Sequence, residues 1–160
     1  MYIRRMLTSI VKYLIAAAGA ARFYGSVRDC GADKSLFLVN SVSLDPAAPI
    51  PGDKVALTLD YTVPPGVYIG AGQVEYDVKY NYMPLAPTFE NLCENVPCPL
   101  GPGTYLNTTT TEWPSGISGR LVTKMKWLDS TNALLLCIEI SDQAETPSSL
   151  ALTHYVPRRA

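Results

Sequence analysis

Val74-Glu75-Tyr76-Asp77-Val78-Lys79-Tyr80-Asn81-Tyr82 alternates two kinds of side chain without a break. Val74, Tyr76, Val78, Tyr80 and Tyr82 are apolar or aromatic, while Glu75, Asp77, Lys79 and Asn81 are polar. Successive side chains of an extended chain point to opposite faces, so the stretch reads as a strand with one buried and one solvated face. The same period recurs on either side of it. Val55, Leu57, Leu59 and Tyr61 alternate with Ala56, Thr58, Asp60 and Thr62 until Pro64-Pro65-Gly66 ends the run. Downstream, Leu121, Thr123, Met125 and Trp127 alternate with Val122, Lys124, Lys126 and Leu128. Asp129-Ser130-Thr131-Asn132 then predicts a turn, and Leu134 to Ile140 a nearly continuous apolar strand. Further strands are expected from Ser35 to Leu44 and across the Thr-rich stretch from Thr104 to Glu112. No stretch carries a convincing helical stripe. Short strands between Pro/Gly turns predict an all-β, antiparallel two-sheet β-sandwich.

Composition narrows the chemistry. The chain has 160 residues, 48% of them apolar and 17% charged, which excludes a disordered polar chain and suits one domain. A net charge of −1 offers no basic surface, so no nucleic-acid partner is expected. His154 is the single histidine and sits in what reads as a loose tail, which leaves almost no material for a His-based triad or a multi-His metal site. Glu75 and Asp77 share a strand face, as glycosidase carboxylates would, but Lys79 and Asn81 lie on the same face and make it a solvated one. No nucleophile–base pair is visible. The expectation is no enzyme, no catalytic residue, no cofactor and no metal.

Residues 1–21 read as a signal peptide: Arg4, Arg5 and Lys12 precede an apolar run from Tyr13 that ends in small residues. The rival reading is a retained amphipathic helix. The run falls well short of the roughly 20 residues of a membrane span. Entry into the secretory pathway follows, with residues 22–142 as the folded domain and 143–160 as a C-terminal extension without periodicity. Four cysteines in that setting read as two disulfides, with three connectivities open. Cys93 and Cys98 enclose a short loop suited to a local bond, which would leave Cys30 and Cys137 to span the domain. A four-thiolate zinc site is the weaker rival, because Cys30 and Cys137 lack paired short spacings. Asn107-Thr108-Thr109 is a glycosylation sequon.

The order of segments carries a resemblance. Asp29-Cys30-Gly31 opens the domain, and Asn91-Leu92-Cys93-Glu94-Asn95-Val96-Pro97-Cys98-Pro99-Leu100 follows the Tyr-rich strand. Trp113-Pro114 precedes the strand ending in Trp127, and Leu135-Leu136-Cys137-Ile138-Glu139-Ile140 follows the turn. Over residues 29–141 this resembles the ML family of lipid-recognition domains, especially the soluble Niemann–Pick type C sterol carriers. The stretch from Leu44 to Gly52 lacks the extra cysteine pair of those carriers. With Val78-Lys79-Tyr80 and the run from Thr88 to Cys93, it looks more like the fungal phosphatidylglycerol/phosphatidylinositol transfer branch.

The resemblance implies an immunoglobulin-like sandwich whose sheets part to admit one lipid. Val55, Leu57, Leu59, Val74, Tyr76, Val78, Tyr80, Leu121, Met125 and Trp127 would face that lipid, with Met83, Leu85, Trp113 and Ile117 near its mouth. The expected function is sterol binding and transfer, with transient membrane contact and a membrane-bound sterol acceptor as a partner. Phospholipid transfer is the alternative, and a secreted immunoglobulin-like interaction module acting as a lipid-presenting adaptor is a third reading. The expected protein is a monomer, secreted or in the lysosomal or vacuolar lumen.

Overall fold

The computed structural model describes residues 23–116 and 119–144. The expected signal peptide and most of the C-terminal extension, with His154, lie outside the described residues, as does Ile117. Nine strands follow in chain order: β1 (Phe23–Asp29), β2 (Leu38–Asp45), β3 (Lys54–Val63), β4 (Gly72–Tyr80), β5 (Met83–Pro84), β6 (Thr88–Asn91), β7 (Gly103–Glu112), β8 (Arg120–Asp129) and β9 (Leu134–Ala144). A 3-10 turn (Ala32–Lys34) and a one-turn helix α1 (Leu92–Asn95) complete them. The Asn91 side chain caps α1 by accepting from the Cys93 backbone N–H.

Six strands form one antiparallel sheet in the order β1-β9-β8-β4-β5, with β6 also pairing β4; β2-β3-β7 form the other. This is the expected two-sheet sandwich. The pairings fix which residues face inward together. Val74, Tyr76 and Val78 stand opposite Trp127, Met125 and Thr123. Thr123, Met125 and Trp127 in turn stand opposite Ile140, Ile138 and Leu136. Across the gap, Val55, Leu57, Leu59 and Tyr61 stand opposite Thr111, Thr109, Asn107 and Tyr105.

Several expectations are corrected. The strand read through Tyr82 ends at Tyr80, because Asn81 and Tyr82 take φ of 47° and 69° and turn the chain back into β5. Two left-handed residues make the tight hairpin turn whose twist matches paired strands. Arg120 secures it, its N–H donating to Asn81 Oδ1 and its guanidinium lying over the Tyr82 ring. β1 and β6 were not anticipated, and β9 runs four residues beyond Ile140.

The disulfides are Cys30–Cys137 and Cys93–Cys98. The first closes the end of the β1–β9 ladder, beside a backbone bond from Cys30 N–H to the Cys137 carbonyl.

One end of the sandwich is filled by aromatic rings. Phe37 stacks on Tyr61, Tyr61 on Tyr105, and Trp127 meets Tyr61 edge-on, among buried Leu92, Leu100, Leu135, Leu136 and Ile138. Burial pushes the Tyr61 hydroxyl up to about 12, with Tyr105 adding to the shift. At the other end a smaller cluster of Leu44, Val55 and Trp113 packs against Val27, Leu57 and Ile140.

Candidate functional site: a cavity between the sheets

Between the two clusters the inward residues are mid-sized: Leu57, Thr109 and Thr111 on one wall, Val78, Thr123 and Met125 on the other. Packed sheets lie about 10 Å apart and need interdigitating side chains to fill the space. These side chains leave a cavity of about 480 Å³. Its walls are Leu44, Val55, Leu57 and Leu59 from the small sheet, and Val74, Tyr76, Val78, Leu121, Met125, Trp127 and Ile140 from the large one. Leu57, Tyr76, Val78, Leu121, Met125 and Ile140 face inward yet stay half-buried, as side chains facing unfilled space must.

The sheets are held together along one flank, where β1 packs on β2. On the opposite flank the free edges β6 and β7 supply Thr88 and Glu90 on one side and Asn107, Thr109 and Thr111 on the other, with Asn95 of α1 beside them. This flank is the mouth, and its rim is polar. Tyr76 donates its hydroxyl to Glu90 Oε2 at 3.1 Å, and Asn95 Nδ2 reaches the same oxygen at 3.4 Å. Burial, then the bond to Glu90 and its charge, push the Tyr76 hydroxyl up to about 12. Among the described residues that line the cavity, Glu90, Glu112 and Asp142 are acidic and none is cationic.

Ten of the fourteen lipid-facing residues named from sequence line this cavity: Val55, Leu57, Leu59, Val74, Tyr76, Val78, Trp113, Leu121, Met125 and Trp127. Tyr80 shares their strand face but lies beyond the cavity wall. Met83 and Leu85 are not at the mouth. The β4–β5 turn carries both outside, where Met83 is 64% and Leu85 52% exposed. Leu85 lies with Asp77, Lys79, Val122, Lys124 and Lys126 on the outer face of the large sheet. Trp113 belongs to the smaller core cluster, where Gly25 admits its ring: a Cβ there would stand 3.4 Å from Trp113 Cη2 and 3.2 Å from Pro49 Cδ. Asn107 faces the cavity, so a glycan on it would have to leave through the mouth.

The outer face of the large sheet carries ion pairs. Lys126 bonds Asp77 and lies 3.5 Å from Glu75, so a lysine holds both acids of this strand face. Glu139 accepts from Arg28 Nε at 2.9 Å and lies 3.5 Å from Lys124. Burial alone would raise the Glu139 carboxyl, but the Arg28 bond and charge, with Lys124, hold it below its ordinary value. Asp142 was missed from sequence. It stands opposite Leu121 and Gly25, one period beyond Ile140, on the cavity wall.

The family model of the ML domain matches residues 25–144. The chain belongs to the ML-domain family. A Dictyostelium discoideum protein named for phosphatidylglycerol/phosphatidylinositol transfer is 28% identical over 120 residues, covering 70% of this chain and 81% of that protein. An Aspergillus oryzae phosphatidylglycerol/phosphatidylinositol transfer protein is 29% identical over 107 residues, covering 63% of this chain and 61% of its own length. Among solved structures, chicken MD-1 complexed with lipid IVa superposes with a TM-score of 0.59 at 9% identity, over 79% of this chain and 94% of that one. A Niemann-Pick type C2 protein from Japanese carpenter ant gives 0.56 at 14% identity, over 72% and 96%. These two share the ML fold.

Proposed function

We propose that this protein is a non-enzymatic lipid carrier, which holds the apolar body of one lipid between its sheets and delivers it to membranes or to another carrier. The observation that carries the reading is the apolar cavity of about 480 Å³, open along one flank of an otherwise packed sandwich. That volume lies in the range of sites that enclose one small ligand. Transfer of apolar surface from water supplies the affinity, at roughly 25 cal/mol per Å².

A single compact body such as a sterol is the leading ligand. The acidic lining supports it, because a phosphate drawn inside would meet Glu90, Glu112 and Asp142 with no counter-charge among the described residues. Phospholipid is the second reading, favoured by the two relatives named for phosphatidylglycerol/phosphatidylinositol transfer. There the acyl chains would enter while the head stays outside the polar rim.

Residence in the secretory pathway, extracellular or lysosomal, belongs to the same proposal. Two disulfides suit an oxidising compartment. A monomer that touches membranes transiently and meets a membrane-bound acceptor completes it. Native mass spectrometry of protein purified without detergent tests the carrier reading. One lipid per chain, extracted and identified as sterol or phospholipid, is the expected result. A chain that carries no lipid and takes none from mixed vesicles would overturn it.

A further inference from the structure

Beside the smaller core cluster the cavity wall carries two enclosed polar atoms. Trp113 and Asp142 both line the cavity, at 5% and 8% exposure. Trp113 Nε1 and Asp142 Oδ1 are enclosed, and neither has a hydrogen-bond partner among the described residues. A buried polar atom left unpaired carries its full desolvation cost, so such atoms in folded proteins call for an explanation. The two are neighbours. Burial pushes the Asp142 carboxyl up, and the Trp113 indole N–H opposes that shift.

Their place in the fold separates them from the mouth. From β6 at the rim the sheet runs through β4 and β8 to β9, three strand spacings or about 14 Å. A ligand entering at the mouth would therefore bring its leading end to Trp113 and Asp142. Glu112 also lines the cavity, and among the described residues no cation does.

The pair is selective in what it can bind. An indole N–H only donates, and an ionised carboxylate only accepts. An ammonium would satisfy the carboxylate and leave the indole unpaired. A ketone or ester oxygen would satisfy the indole alone. A phosphate or carboxylate would face like charge. A neutral hydroxyl accepts from one and donates to the other.

We infer that Trp113 and Asp142 anchor a neutral hydroxyl, so that this cavity takes a lipid alcohol inserted hydroxyl-first. The inference rests on the carrier reading above and adds the ligand's polar group and its orientation.

The test equilibrates the full chain with phosphatidylcholine vesicles carrying equal amounts of 5α-cholestan-3β-ol and 5α-cholestane, then quantifies lipid on the re-isolated protein. The wild type should favour the alcohol by about tenfold or more, since a site built to bond a hydroxyl discriminates strongly against its absence. Trp113→Phe, which removes the indole N–H together with the five-membered ring that carries it, and Asp142→Leu should collapse that ratio. Asp142→Asn, which keeps an acceptor, should retain most of it. Asp142→Leu should melt at or above the wild type, because a desolvated carboxyl is removed and only its contact with the Trp113 indole N–H is lost; a large drop would make Asp142 a structural residue and overturn the anchor. Equal uptake of both steroids by the wild type, an unchanged ratio in Trp113→Phe, or uptake of phosphatidylcholine alone would also overturn the anchor and leave the carrier reading standing. Uptake of no lipid at all would bring down the carrier reading, and the anchor with it.

Discussion

Val78→Phe adds about four carbons to a half-buried side chain that faces the cavity from β4, opposite Thr123. If the ring enters the cavity, those carbons leave water at roughly 0.8 kcal/mol each, an upper bound of about 3 kcal/mol. Lost rotamer freedom takes back up to about 1 kcal/mol, and the part of Val78 already shielded takes back more. The net expectation lies between zero and about 2 kcal/mol of stabilisation. Val63→Phe is the control. Val63 is 1% exposed in the aromatic-filled end, where the same carbons have no space. Overpacking there costs about 1–3 kcal/mol. At roughly 3–6 °C per kcal/mol for a domain of this size, Val63→Phe should lower the melting temperature by about 3–18 °C while Val78→Phe holds or raises it. Scanning calorimetry reads the stability, and displacement of a fluorescent sterol or phospholipid reads the binding. Val78→Phe should bind more weakly by up to about thirtyfold, since lipid can enter only if the ring gives up the stabilisation of as much as about 2 kcal/mol that it gained. If Val78→Phe melts as low as Val63→Phe, the space is not open. If it folds and binds lipid as the wild type does, the lipid sits elsewhere.

Three further outcomes follow from the same structure. Glu139 is held below its ordinary value by Arg28 and Lys124, so its contribution is complete above the unfolded carboxylate value and is lost as pH falls through the folded one. The melting-temperature gap between wild type and Glu139→Gln should therefore close as pH drops from 5 towards 2, and a gap that widens would refute the sign; because Arg28 is largely exposed, the gap corresponds to no more than about 1 kcal/mol. The two disulfides close loops with sequence separations of 107 and 5, so chain entropy expects about 5 kcal/mol lost in Cys30→Ala/Cys137→Ala and about 2 kcal/mol in Cys93→Ala/Cys98→Ala, and denaturant unfolding that reversed the order would contradict it. Tyr61 and Tyr76 are both raised to about 12, so ultraviolet titration should show a late class of tyrosines at that pH, smaller by one in Tyr76→Phe, and full ionisation by pH 11 in the folded protein would count against the buried, Glu90-bonded Tyr76.

The fold was legible where one face is apolar and the other is not. The rows of β3, β4 and β8 alternate cleanly, and the pairings place Val74, Tyr76 and Val78 against Trp127, Met125 and Thr123 as that alternation requires. β7 was harder to read. Its inward Asn107, Thr109 and Thr111 are polar because they border an open mouth, while Leu106 points outward and is exposed. β6 is a four-residue edge strand exposed throughout, so no periodicity marks it. Leu85 was misplaced because two left-handed residues, Asn81 and Tyr82, turn the chain onto the outer face, and Tyr gives no sequence signal for that conformation. Asp142 was passed over because polar Ser141-Asp142-Gln143 looks like the end of a strand. Counting by twos from Leu136 through Ile138 and Ile140 would have placed it on the inner face.

The central claim is that the lipid lies between the sheets. A photoactivatable sterol bound to the full chain, crosslinked by light and mapped by peptide mass spectrometry, tests it most directly. Adducts should fall on Leu57, Tyr76, Met125 and Ile140, the half-buried inward residues of both sheets. Adducts confined to the outer face, on Val122, Lys124 and Leu85, would contradict it.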